Sequence, residues 1–169
     1  LPDLNLDLDQ VEAILESDPD IRGIMFAHVL GNPPDMDRLM RLIKKHELIF
    51  VEDACDALGS FYDGKKLGSF GDISTCSFFP AHHMTMGEGG FIATNSQRTR
   101  TILASIRDWG RACYCNTMKP GNVTSETACG NRFKNWLPGL KDAVYDHRYV
   151  FDEIGYNLKP LDLQAAMGL

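Results

Sequence analysis

The sequence predicts a layered α/β fold with a mainly parallel sheet and flanking helices, and three observations carry that prediction. An apolar run at 21–30, a helical pattern from Asp35 and a second short apolar run at 48–51 have the spacing of a βαβ unit. A β-branched and aromatic run at 73–79 breaks at Pro80, passes through a glycine-rich turn and returns as a second strand-like run at 90–94. Ser96 then stands where a helix cap belongs.

Taken in order, Leu8, Val11 and Leu15 follow helical spacing until Asp18-Pro19-Asp20 stops them. The run at 21–30 is mostly apolar apart from Arg22 and is bounded by Gly31-Asn32-Pro33-Pro34, which fits a strand buried on both faces. The helix from Asp35 presents Met36, Leu39, Met40 and Ile43 on one side and carries Lys44 and Lys45 in its last turn, where cations suit the helix dipole. After the strand at 48–51, turn signals at Asp63-Gly64 and 68–71 lead to the run at 73–79. The helix capped by Ser96 is expected to bury Ile102, Leu103, Ile106 and Trp109. Periodicity vanishes over 110–136, too long a stretch for a mere connector and therefore expected to be a functional excursion.

With 169 residues and 44% hydrophobic content, the chain can build one respectable core and is short for two domains. It opens on Leu1 rather than methionine, and its last stretch ends in a helical pattern without a terminating residue, so it reads as an internal fragment of a longer protein. The net charge of −6 argues against nucleic acid or an anionic membrane surface as the main partner. No apolar run is long enough to cross a bilayer and no signal peptide is recognisable, so the expected location is cytoplasmic. Five cysteines, an odd number, fit thiols or metal ligands better than a disulfide framework.

The stretch at 77–90, SFFPAHHMTMGEGG, joins a strand end to a turn whose glycines permit close backbone approach. It resembles the corresponding segment of the DegT/StrS-type pyridoxal-phosphate sugar aminotransferases, where Ser-Phe leads to a lysine, then Asn-Ile-Thr and Glu-Gly-Gly. The lysine position is His82. A lysine amine holds the cofactor aldehyde covalently, which an imidazole cannot do stably, whereas histidine moves protons near neutral pH. The resemblance is therefore closest to the dehydrase branch, typified by CDP-4-keto-6-deoxyglucose 3-dehydrases. It implies a large-domain fragment of aminotransferase fold type I, spanning residues 1–169 with a cysteine-bearing loop at about 110–136.

The same resemblance implies site roles. In VEDACDALGS, Asp53 corresponds to the aspartate that pairs with the pyridine nitrogen of the cofactor; without the neighbouring motif it reads as a helix cap. Ser77 matches a serine that holds the cofactor phosphate. Asn157, in IGYNLKPLDLQAA, matches an asparagine that reaches the phosphate in the partner subunit, so a homodimer with a shared site is implied. His83 reads as supporting, Cys76 as a small buried residue, and His28, His46 and His147 as surface or packing residues.

The cysteines are a separate signal. Between Cys55 and Cys113 lie 57 residues; one residue precedes Cys115 and thirteen precede Cys129. The iron–sulfur dehydrases share the first two gaps and have a shorter last one, so this chain carries an insertion within 116–127, a change a loop absorbs at small entropic cost. Four thiolates hold either a [2Fe–2S] cluster or zinc. With the histidine in place of lysine, the resemblance implies pyridoxamine-phosphate-dependent C3 dehydration of CDP-4-dehydro-6-deoxy-D-glucose on the way to 3,6-dideoxyhexoses of cell-surface polysaccharide. Electrons would come from an NAD(P)H-dependent flavin/iron–sulfur reductase through the cluster. A cluster-free sugar 3-dehydratase or aminotransferase-like enzyme, and a catalytically silent zinc-stabilised domain on the same fold, remain as alternatives.

Overall fold

A computed structural model describes residues 4–113, 132–134, 137, 139–140 and 143–169. They divide into two compact units, 4–95 with 160–169 and 96–159.

The first unit begins with α1 (Leu8–Ser17), whose cap Asp7 accepts from the amides of Asp9 and Gln10. Then come β1 (Gly23–Ala27), α2 (Met36–Lys45) and β2 (Ile49–Asp53), the βαβ unit that the spacing announced. A small antiparallel hairpin, β3 (Phe61–Tyr62) and β4 (Lys65–Lys66), turns at Asp63-Gly64 and precedes β5 (Ile73–Ser77) and β6 (Gly90–Ala93). The sheet has the order β1-β2-β5-β6, the first three strands parallel and β6 antiparallel to β5.

One face of this sheet is covered. Ile24, Phe26 and Phe50 pack with Leu8 and Leu15 of α1 and with Met36, Leu39, Leu42 and Ile43 of α2, and the Phe26 and Phe50 rings stack 5.5 Å apart. The other face stays open: Met25 is 64% exposed, Ile49 57% and Ile92 52%. The expectation of a strand at 21–30 buried on both faces is therefore corrected. Its covered and exposed residues alternate, and the run ends at Ala27 because 29–31 forms a 3₁₀ turn with Leu30 in the left-handed region, φ 54°.

Glu52 is the most heavily constrained core residue. It is fully buried, and its carboxylate accepts from the amides of Gly68 (2.8 Å), Phe70 (2.6 Å) and Gly71 (2.5 Å) and contacts Nε2 of the equally buried His28 at 3.0 Å. Burial pushes the carboxyl up, but these donors outweigh it and hold it below the ordinary value. His28 and His147 are buried, the packing alternative of the two readings that the sequence allows them.

The second unit is built on α3 (Gln97–Arg107), capped by Ser96. Only Ser105 of this helix is buried; Ile102 is 37% exposed, and Trp109 lies beyond the helix end with φ 59°. The expected apolar face at 102, 103, 106 and 109 is thus not a core face within these residues. In the same unit Asp146 takes both forks of Arg132 at 2.9 and 2.7 Å, which holds its carboxyl down at about 2. A short helix, α4 (Asp162–Met167), belongs to the first unit. No helix among the described residues is long and apolar enough to cross a membrane.

Because the Glu52 carboxyl titrates lower folded than unfolded, its contribution to stability is complete above its ordinary value of 4.5 and is lost as pH falls through the lower folded value. Glu52→Gln should lower the urea midpoint at pH 7 and flatten the acid limb of stability against pH. Losing one partner of a buried pair costs about 3–5 kcal/mol. Urea titrations of both proteins from pH 7 to pH 3 check this; parallel curves would remove the carboxylate from the account.

Candidate active site at the carboxyl ends of β2 and β5

Parallel strands in an open α/β sheet present their carboxyl ends to ligands. Asp53 is the last residue of β2, two residues beyond the strand limit expected from sequence. Alternation sends Glu52 into the core and Asp53 onto the open face. There Asp53 faces Thr75 across the ladder, and Oδ1 accepts from the Thr75 hydroxyl at 3.3 Å and from the Cys55 amide at 3.1 Å. Its main-chain carbonyl accepts from the His28 amide at 3.0 Å. Burial pushes the Asp53 carboxyl up, but hydrogen bonds from Cys55 and Thr75, helped by His82 whenever its ring is protonated, bring it below its ordinary value. The carboxylate is ionised at neutral pH.

Cys55 experiences the opposite effect. Burial and the neighbouring Asp53 carboxylate push its thiol up to about 11. Cys76 points to the covered face and is buried, as its place in the strand implied.

Ser77 ends β5 two residues after Thr75 and therefore on the same face as Asp53, about 7 Å further along the strand. Its Oγ accepts from the Phe79 amide at 3.2 Å, which leaves its own hydrogen to donate. The turn that follows is closed by Phe78 N–H to Gly89 O at 2.8 Å, Met86 N–H to Phe78 O at 3.0 Å and His82 N–H to Phe79 O at 3.0 Å. Gly89, at φ 142°, and Gly90, where a Cβ would lie 2.6 Å from Cys76 O, explain why the turn ends in two glycines.

His82 is held by a residue that sequence reasoning passed over. Its Nδ1 lies 3.0 Å from Oδ1 of Asp56, with 21% of the histidine side chain exposed. A carboxylate can only accept, so Nδ1 carries the proton and Nε2 of the neutral ring is left as a base. Asp56 lies three residues after Asp53 in VEDACDALGS; an acid that close to a strand-end acid was the available signal. Thr75 was likewise missed, since only the register reveals that it faces Asp53.

The remaining site residues are placed as follows. His83 is exposed. Cys55 lies in the first unit and Cys113 in the second, while Cys115 and Cys129 fall outside the described residues, as does most of the 110–136 stretch. Among the described residues no three His, Cys, Asp or Glu are grouped to hold a metal. Asn157 belongs to the second unit, where it is exposed and pairs through its backbone with Asp108.

The family model for the DegT/DnrJ/EryC1/StrS aminotransferases matches residues 2–169. The chain belongs to this family. Within the DegT/DnrJ/EryC1/StrS family it is 46% identical over 169 residues to a lipopolysaccharide biosynthesis protein of Salmonella typhimurium, covering all of this chain and 37% of that protein. It is 50% identical over 148 residues to a dTDP-4-dehydro-2,6-dideoxy-D-glucose 3-dehydratase of Saccharopolyspora spinosa, covering 88% of this chain and 30% of that one. The chain thus spans about a third of the length of these relatives. Among solved structures, GDP-4-keto-6-deoxy-D-mannose-3-dehydratase of E. coli with bound hydrated PLP superposes with a TM-score of 0.70 at 30% identity, over 98% of this chain and 38% of that one. A GDP-4-keto-6-deoxymannose-3-dehydratase variant with bound GDP-perosamine gives 0.75 at 25% identity, over 98% and 39%. The aminotransferase fold expected from sequence is the fold observed.

The residues on the open face fit the cofactor of this family. A pyridine ring with a phosphate arm needs an anion near its nitrogen and donors near its phosphate, and Asp53 and Ser77 provide an ionised carboxylate and a free hydroxyl hydrogen on one surface.

The Asp56 contact predicts the tautomer of His82. In ¹⁵N spectra of histidine-labelled protein with neutral imidazoles, Nδ1 of His82 should carry the proton, and Asp56→Asn should shift the ring toward a mixture of tautomers. An Nε2-protonated ring in the unaltered protein would contradict the pairing.

Proposed function

We propose that this chain is the cofactor-binding part of a pyridoxamine-phosphate-dependent sugar-nucleotide 3-dehydrase, acting on CDP-4-dehydro-6-deoxy-D-glucose in the cytoplasm as a homodimer. The observation that carries the reading is His82, which occupies the lysine position of the family motif and is oriented by Asp56 so that Nε2 is basic. Its similarity to curated 3-dehydratases supports the same reaction class.

Pyridoxamine phosphate, when bound, supplies an amine that condenses with the sugar ketone and a ring that stores the electrons of the reaction. Asp53 would hold its charge opposite the ring nitrogen and keep it protonated. Ser77 would donate to the phosphate, joined by Asn157 of a second copy. Nε2 of His82 would take the proton lost from the carbon beside the amine, and Asp56 would stabilise the resulting imidazolium. The C3 hydroxyl leaves with a proton as water.

Cys55, Cys113, Cys115 and Cys129 would hold a [2Fe–2S] cluster, which would supply one-electron transfer between a separate NAD(P)H-dependent flavin/iron–sulfur reductase and the sugar site. Its support is the cysteine spacing. The cluster-free dehydratase is the second reading, favoured by one observation: thirteen residues separate Cys115 from Cys129, more than the iron–sulfur dehydrases have before their last cysteine.

His82→Asn should retain pyridoxamine phosphate and lose single-turnover dehydration by at least about 10²-fold, the lower range for a general base. Dehydration at the unaltered rate would refute the assignment. Cys113→Ser and Cys129→Ser should abolish iron binding and reductase-dependent formation of the dideoxy sugar, yet leave dehydration largely intact. Iron and sulfide analysis beside product chromatography reads both; an unaltered protein that deoxygenates sugar without iron favours the cluster-free enzyme.

A further inference from the structure

In the second unit, the backbone of 153–158 is strapped across the carboxyl end of α3. Tyr156 N–H donates to Ile106 O at 2.7 Å, Leu158 N–H to Arg107 O at 3.0 Å and Trp109 N–H to Tyr156 O at 3.0 Å, so the strap satisfies carbonyls that a helix end leaves open. Asp108 and Asn157 form an antiparallel bridge. Gly110 and Gly155 meet backbone to backbone, where a Cβ on either would clash with the other segment.

Trp109 stands at the centre with φ 59°, a conformation that a bulky residue adopts only when its surroundings enforce it. The ring is capped by Lys159 Nζ, 3.6 Å from its centroid, and flanked by the Arg111 guanidinium at 4.8 Å. Both cations are tied to Asp108, Lys159 at 2.5 Å and Arg111 at 3.3 Å. Lys159 therefore fastens the end of the strap to both the carboxylate and the ring that precede it by some fifty residues. Two positions before it, Asn157 is exposed, and its side chain has no hydrogen-bond partner among the described residues.

An isolated surface ion pair contributes little to stability. Fixing one short segment is a different task, because a side chain that must meet a ligand loses affinity when its backbone wanders. We propose that Lys159 and Asp108, closing over Trp109, are positioning residues that fix the strap so that the Asn157 amide is presented in one place to an anionic ligand. The inference rests on the reading of Asn157 as a phosphate contact.

The test is a thermodynamic cycle in the full-length protein, with pyridoxal phosphate titrated into the apo form and melting temperature followed in parallel. Lys159→Met should weaken pyridoxal phosphate binding about tenfold, Lys159→Arg should restore most of it, and Lys159→Met should add nothing in the Asn157→Ala background. Asp108→Asn should repeat the pattern. Unchanged affinity in Lys159→Met beside weakened affinity in Asn157→Ala overturns the positioning role alone, as do losses that add in the double variant. Unchanged affinity in Asn157→Ala overturns the phosphate reading and the inference with it.

Discussion

The carboxylate of Glu52 lies in the core with four donors on its two oxygens: three loop amides and the ring of His28. That arrangement fixes the loop at 68–71 under the sheet and ties the end of β1 to the end of β2. Strand alternation then leaves the adjacent acid, Asp53, no choice but the open face. Two neighbouring carboxylates thus face opposite ways, one into the core and the other onto the open face, and both are held ionised by donors that outweigh their burial.

The open face has the chemistry of a site rather than of an ordinary surface. Asp53, Thr75 and Ser77 follow one another along the carboxyl ends of adjacent strands, and the turn after β5 brings His82 over toward Asp56. Each polar group has its donor or acceptor assigned before any ligand arrives, with Nε2 of His82 and the Ser77 hydrogen left over. Such preorganisation is what a proton-transfer site requires, since reorienting these groups during the reaction would add to its barrier.

Much of this was legible in the sequence. The βαβ spacing, the helix start at Asp35, the cap at Ser96, and the strand that ends at the glycine turn are local signals, and the structure carries all of them. What stayed hidden depends on partners distant in sequence. The run at 21–30 looks buried on both faces because hydrophobicity records what a strand can cover, while only half of β1 finds cover in this unit. Trp109 fits a helical period with Ile102 and Ile106, yet the helix stops at Arg107 and the indole turns to meet Lys159. His28 carries no motif and could be recognised only through Glu52, twenty-four residues away. Asp56 and Thr75 became visible with the strand register and the His82 turn.

The central claim is that position 82 faces the cofactor aldehyde as the family lysine does. Replacing that residue by His82→Lys, incubating with pyridoxal phosphate, reducing with borohydride and mapping the modified peptide by mass spectrometry tests it without reliance on turnover. The account predicts one stable pyridoxyl adduct, on the peptide containing position 82, that is absent from the unaltered protein. Labelling spread over other lysines, with position 82 unmodified, would contradict it.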